Sequence, residues 1–210
     1  MFALTGKVAL VTGASRGLGW AIARTFAYAG ATVLLNARDE AALRVRCDEL
    51  IAAGLKAEMA AFDVTNHAAG AECVVRAAER HGRFDILAAN AGINLRGSIT
   101  EMETADFRRV LDTNLTAAWA LAKEAAKVMI PRRTGRIIFT GSMSALIARP
   151  TLSAYIASKG AIHALTRELA IELAQHEITV NAIAPGYFAT ELNTPLVQNA
   201  EFNNWVKTRC

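Results

Sequence analysis

The amino-acid sequence predicts a doubly wound α/β fold, one parallel sheet with helices on both faces, and two observations carry that prediction. Short apolar runs alternate with helix-length segments along nearly all 210 residues. Such βαβα alternation, with crossovers long enough to be right-handed, joins parallel strands. The chemically unusual residues fall just after those apolar runs, where open parallel sheets bind their ligands.

The elements follow in order. KVALVT, Lys7 to Thr12, is a continuous apolar run suited to a strand covered on both faces. The glycine-rich TGASRGLG then leads into a helix from Leu18 to Ala29. ATVLLN, Ala31 to Asn36, is the second strand, followed by a helix from Glu40 to Ala53. AEMAAFD, Ala57 to Asp63, is the third, with a helix from His67 to His81 behind it. FDILAAN, Phe84 to Asn90, precedes a long helix from Thr104 to Ile130. PRRTGR, Pro131 to Arg136, turns the chain into RIIFTGS, Arg136 to Ser142. A second long helix, Ser153 to Gln175, leads to ITVNAIAP, Ile178 to Pro185. No linker or internal repeat interrupts the series, so residues 1–210 are read as a single domain.

Composition narrows the function. The chain is 53% hydrophobic and 20% charged, as expected of covered strands in a mixed fold. Cys47, Cys73 and Cys210 match no metal or redox spacing. The histidines, His67, His81, His163 and His176, form no ligand cluster and read as surface or helix-end residues, so no metal site is expected. The formal charge of +4 raises nucleic acid as a partner, but the densest basic stretch, PRRTGR, lacks stacking aromatics and reads as a solvated turn. No membrane span is expected either, because Lys123 and Glu124 break the Ala-rich run from Thr116 to Met129. The start, MFALTGKVALVTG, enters the strand pattern without the marks of a signal peptide, which points to a cytoplasmic location.

The glycines at 13, 17 and 19 permit a tight turn and a close backbone approach to a pyrophosphate at a helix N-terminus. They are spaced GxxxGxG rather than GxGxxG, and plain strand-to-helix punctuation is the other reading. An NAD site carries an acid roughly 20 residues past the glycines. Here the second strand ends Asn36-Ala37-Arg38, with a guanidinium where a 2′-phosphate could be clamped and Arg16 as a second cation. NADP(H) is therefore expected in preference to NAD(H), unless Arg38 simply pairs with Asp39 and Glu40 at a helix start. In YIASK, Tyr155 and Lys159 stand four apart and so share one side of a helical turn.

TGASRGLG, ANAG at Ala89 to Gly92, Asn114, Ser142, YIASK and Pro185-Gly186 together resemble the short-chain dehydrogenase/reductase family from about Lys7 to Thr190. Tyr155 stands thirteen residues after Ser142, that family's usual interval. The resemblance implies a Rossmann fold and an NAD(P)-dependent oxidoreductase acting on a carbonyl or secondary alcohol. It implies Tyr155 as general acid/base. A phenol with a pKa near 10 is a poor base at neutral pH, so Lys159 is expected to lower that pKa while holding the nicotinamide ribose. Ser142 is expected to donate a hydrogen bond to the reacting oxygen. Ser144 offers a second hydroxyl on the same face of an extended segment, and the interval favours Ser142. Asn114 either anchors a water linking Lys159 to solvent or is a structural residue or kink in its helix.

The resemblance also puts Asp63 near the adenine, although it could equally cap the following helix. ANAG, through Asn90, Ala91 and Gly92, either approaches the nicotinamide closely or serves as a structural turn. Ser15, Leu18, Val64, Pro185, Gly186, Phe188 and Thr190 complete the implied cofactor contacts, and 187–210 is implied to be a lid over the substrate. APGYFATEL, ARP at Ala148 to Pro150 and the NAR of the second strand are similar to the gluconate 5-dehydrogenase group, which interconverts gluconate and 5-ketogluconate. A 3-oxoacyl thioester reductase is the enzymatic rival. Family members run on past the position of Cys210 with a further helix and edge strand, so a fragment or a shortened non-catalytic nucleotide-binding or regulatory paralogue is the rival from another class. Intact Asn114, Ser142, Tyr155 and Lys159 favour the enzyme. A homodimer or homotetramer through the two long helices is implied as well.

Overall fold

A computed structural model describes residues 3–188 and the single positions 201, 204 and 208. Thr190 and nearly all of the expected lid, 187–210, lie outside the described residues. Among the described residues six parallel strands form one sheet in the order β3-β2-β1-β4-β5-β6. They are β1 (Val8–Thr12), β2 (Thr32–Ala37), β3 (Ala57–Ala61), β4 (Ile86–Ala89), β5 (Gly135–Thr140) and β6 (Ile178–Ile183). The winding reverses beside β1, whose Leu10 lies between Leu34 of β2 and Leu87 of β4. Chain segments leaving β1 and β4 therefore diverge and open a crevice at the carboxyl ends. Both strands are buried at every position, which is why they are apolar without alternation. At the edge, β6 alternates instead: Thr179, Asn181 and Ile183 are exposed.

Two clusters of apolar side chains fill the two faces. Helices α1 (Gly17–Tyr28) and α2 (Glu40–Ala52) pack around Val11, Leu35, Leu43 and Leu50. Helix α3 (His67–His81) contributes Val74 to the other cluster, with Leu10, Leu87 and Phe139. The first long helical segment divides into α4 (Thr104–Leu111), a π-helical turn at Asp112–Thr116, and α5 (Ala117–Met129), whereas α6 (Ser153–Ala174) runs unbroken. PRRTGR does turn the chain: a 3₁₀ turn at Ile130–Arg132 ends in left-handed Arg133, φ 48°.

Caps set where the helices begin. Asp39 accepts a hydrogen bond from Ala42 N at 3.0 Å and caps α2, and Asn66 accepts one from Ala69 N at 3.1 Å and caps α3. The capping alternative for Asp63 is thereby corrected. Its carboxylate instead accepts from Thr65 N and Thr65 Oγ1, at 2.9 and 2.7 Å, in a turn that comes before the helix. Among the described residues no helix is long and apolar enough to cross a membrane. Cys47 and Cys73 are buried, and burial pushes each thiol up to about 11, away from reactivity.

Candidate active site

The carboxyl ends of the strands meet in one cleft of about 770 Å³. Gly13, Ser15, Arg16, Gly17, Leu18 and Gly19 line one end. Asn36, Arg38, Asp63 and Val64 line it beyond β2 and β3, and Asn90, Ala91 and Gly92 beyond β4. Ser142, Tyr155, Lys159, Pro185, Gly186 and Phe188 line the remainder. Asn114 stands one layer back, its Oδ1 3.1 Å from where a side chain on Gly92 would begin.

At the glycine turn, Gly13 and Gly17 adopt φ 67° and 56°, a region that disfavours any side chain. A Cβ on Gly19 would run into the Gly13 carbonyl oxygen and come within 2.6 Å of Asn90 Nδ2. Gly19→Ala is therefore expected to cost about 1–3 kcal/mol of stability by overpacking. An unchanged urea midpoint would show that the helix and the strand end can separate freely. Arg46 of α2 donates to Ser15 O at 3.2 Å and steadies the turn. No side chain caps α1 and no acid sits in its first turn, so its amide groups and dipole remain available to an anion.

Beyond β2, Asn36 donates through Nδ2 to Ala60 O and Phe62 O, at 2.9 and 3.0 Å. Its Oδ1 is a buried acceptor with no partner among the described residues. Arg38 pairs at 3.6 Å with Asp63, not with its sequence neighbours: Asp39 is engaged as a cap and Glu40 bonds to Arg44. The Thr65 backbone N–H, with lesser help from the Thr65 hydroxyl and Arg38, holds the Asp63 carboxyl below its ordinary range against the opposing effect of burial. The Arg38 side chain is 70% exposed, and exposed Arg16 lines the same cleft. A turn bare of side chains at Gly13, Gly17 and Gly19, an uncapped helix start, a buried acceptor without a partner among the described residues and two guanidinium groups together fit a phosphorylated dinucleotide.

ANAG is a structural tie as well as a wall of the cleft. Thr12 Oγ1 accepts from Asn90 N and Ala91 N at 2.9 Å each, and Asn90 Nδ2 donates to Thr12 O at 3.0 Å. Thr140 Oγ1 donates to Asn90 Oδ1 at 3.2 Å, joining the ends of β1, β4 and β5. Asn114, in the π-helical turn, is fully engaged: it exchanges hydrogen bonds with the backbone of Ile93, at 2.8 and 2.9 Å, and donates to Ser158 Oγ at 3.1 Å. Asn114 therefore has the structural bonding of one alternative, in a turn that departs from α-helical spacing.

Tyr155, Ser142 and Lys159 converge at the other end. Burial pushes the Tyr155 phenol above its ordinary range; a hydrogen bond with Ser142 opposes the rise and nearby Tyr187 adds to it. The lowering expected from Lys159 is not what governs this phenol. Lys159 is 4% exposed, its Nζ donates to Thr140 O at 2.6 Å and lies 5.7 Å from the centre of the Tyr155 ring, and burial depresses its pKa to about 8. Desolvation is thus the largest influence on the Tyr155 phenol and raises it above its ordinary value. Ser142 is 6% exposed and its Oγ accepts from Ser144 N at 3.0 Å. A 3₁₀ turn at Met143–Ala145 begins just after it, so the expected extended alternation of Ser142 and Ser144 does not hold, although both line the cleft.

Several cleft residues escaped the sequence reading. Asn94, Arg96 and Arg109 also line it, as does Tyr187 from the start of the expected lid, and Asn94 Oδ1 is a second buried acceptor without a partner among the described residues. The basic side chains had no motif to mark them, because loops and α4 carry them in from separate stretches. His163, expected at a surface or helix end, stands in the middle of α6 against the start of the Ser142 loop.

Comparison with known proteins agrees with this geometry. A family described as short chain dehydrogenase matches residues 7–201. The chain is 40% identical over 209 residues to a gluconate 5-dehydrogenase of Gluconobacter oxydans, covering 100% of this chain and 82% of that protein. It is 35% identical to the 5-keto-D-gluconate 5-reductase of Escherichia coli, with the same coverage. The crystal structure of a gluconate 5-dehydrogenase from Burkholderia cenocepacia, in complex with NADP and tartrate, superposes with a TM-score of 0.94 at 38% identity over 99% of this chain and 82% of that one.

Proposed function

The chain belongs to the short chain dehydrogenase family, and from that premise we propose that it interconverts a gluconate-type sugar acid and its 5-keto form with NADP(H) as preferred cofactor. It is an oxidoreductase acting on CH–OH groups. The observation that carries the finer reading is the meeting of the Tyr155 phenol, the Ser142 hydroxyl and the buried Lys159 ammonium in the cleft that the glycine turn opens. The named activities of the Gluconobacter and Escherichia proteins, and the hydroxy acid in the Burkholderia complex, support a polyhydroxy carboxylate. Arg96 and Arg109 supply positive charge on the cleft wall, and Asn94 supplies a buried acceptor for a hydroxyl.

Gly13 to Gly19 and the start of α1 would hold the pyrophosphate, Arg16 and Arg38 the 2′-phosphate, and Asn36, Asp63 and Val64 the adenosine. Asn90, Ala91, Gly92, Pro185, Gly186 and Phe188 would flank the nicotinamide, with Tyr155 and Lys159 at its ribose; Thr190, outside the described residues, belongs to the same proposal. When bound, the reduced nicotinamide supplies a hydride to the carbonyl carbon, or its oxidised form accepts one from the alcohol. The chain's own part is proton and charge management at the oxygen. Burial keeps the Tyr155 phenol protonated and ready to donate to the carbonyl oxygen during reduction. Ser142 donates to the same oxygen and stabilises the charge that develops there. Lys159, fixed by Thr140 O and close to the Tyr155 ring, would stabilise the phenolate that proton donation leaves behind. The proposal includes a homo-oligomer formed on the long helices, where Trp119 and Ile171 are 44% and 80% exposed.

Arg38→Asp tests the cofactor preference. With 5-ketogluconate as substrate, the variant is expected to lose about 10- to 100-fold in kcat/KM for NADPH, the worth of a hydrogen bond to a charged group, while NADH is used at least as well as before. An NADPH preference that survives this change would remove Arg38 from the site.

A further inference from the structure

α6 presents three side chains to one short stretch, Thr140 to Ser142, at and just past the end of β5. Tyr155, Lys159 and His163 are spaced four apart and so fall along one side of the helix. Lys159 Nζ holds Thr140 O. His163 occupies the next position along: a Cβ on Gly141 would run into its Nε2 and come within 2.6 Å of its Cδ2. The neighbouring Ser142 N–H donates to the same Nε2 at 3.4 Å. Gly141 N also donates to Ile183 O at 2.8 Å, which ties the strand end to β6. Ser142 has extended backbone here, φ −166° and ψ 147°, and the chain then turns into Met143–Ala145.

We propose that His163 is a positioning residue for Ser142: its ring fills the space denied to a side chain at Gly141, and its unprotonated Nε2 accepts the Ser142 backbone N–H. The serine hydroxyl is thereby set in the cleft that Tyr155 also lines. An acceptor at Nε2 requires the neutral ring to carry its proton on Nδ1. The opposite tautomer would set two N–H groups against each other. Glycine at 141 and histidine at 163 are therefore one device, the first making room for the second. This role for His163 rests on the one assigned above to Ser142.

The test has a spectroscopic and a kinetic arm. In ¹⁵N-labelled full-length protein, two-bond proton–nitrogen correlations of the His163 ring at neutral pH are expected to show a neutral ring protonated at Nδ1. Protonation at Nε2 overturns the proposal. In 5-ketogluconate reduction, His163→Leu, which keeps bulk but removes the acceptor, is expected to lower kcat about tenfold with little change in the KM for NADPH, the signature of a misplaced catalytic group. His163→Gln, whose amide oxygen can accept the same N–H, is expected to recover most of the loss, to within about threefold of the wild type. Leu turning over like the wild type, or Gln impaired as deeply as Leu, would overturn the role. Ser142→Ala is assayed alongside: wild-type turnover there removes the serine from the reaction while leaving the His163 tautomer unaffected, so the two failures are told apart.

Discussion

Tyr155→Phe is expected to abolish turnover almost entirely, with kcat for 5-ketogluconate reduction falling by about 10³- to 10⁴-fold, the upper range for loss of a general acid. Phenylalanine keeps the ring and its packing, so NADPH binding, read by fluorescence titration, should stay close to that of the wild type. The size of the loss follows from the surroundings. Burial raises the phenol's pKa and Ser142 hydrogen-bonds to it, so this group holds a proton at neutral pH next to the Ser142 hydroxyl. A variant retaining a tenth of wild-type kcat would mean that the proton comes from elsewhere.

Lys159→Met is the second large effect, and it separates activity from stability. Removing the ammonium should cut kcat/KM by about 10²- to 10³-fold, the cost of losing one preorganised electrostatic group. Stability behaves differently. Burial lowers the Lys159 pKa from an ordinary 10.5 to about 8. Between those two values the unfolded chain binds a proton that the folded protein does not, so wild-type stability should rise with pH through this window. The full desolvation penalty is present below about pH 8 and is gone above about 10.5. The rise is on the order of 3 kcal/mol. Near pH 7 the variant escapes this penalty but loses the bond to Thr140 O, worth about 1.5–3 kcal/mol, so the two proteins should unfold at similar urea concentrations. At pH 10 the wild type should be clearly the more stable. Parallel stability curves across the window would show that Lys159 keeps its ordinary affinity for protons.

Much of the framework was legible from local pattern. β1 and β4 are apolar at every position because both of their faces are covered, and a continuous run of that kind is visible in one dimension. The gathering of the glycine turn, Asn36, Asn90 and Tyr155 follows from strand ends lying side by side in a parallel sheet. What escaped depends on distance in sequence or on backbone detail. Arg38 finds Asp63 rather than its neighbours because β2 and β3 are adjacent and α2 takes Asp39 for its own cap. The balance at Tyr155 is a matter of desolvation, which no spacing of residues reports. His163 was indistinguishable from any polar residue on a helix until Gly141 was seen pressed against its ring. Asn114 gave a hint as a polar interruption, but an α-helical periodicity reads the same whether or not one turn is widened.

That widened turn at Asp112–Thr116 lets one rod keep two appointments. A π turn admits an extra residue, and each residue advances an α-helix by about 100°, so α4 and α5 are out of phase with each other. α4 packs on α6, the helix carrying Tyr155 and Lys159, while α5 packs on α3 beneath the sheet. A uniform helix would have to choose between these neighbours or twist one apolar stripe away from its partner. The slip in phase works as a gearbox between scaffold and chemistry: α5 can be tuned for packing, while Asn114 remains aimed at Ile93 and Ser158 from the joint itself.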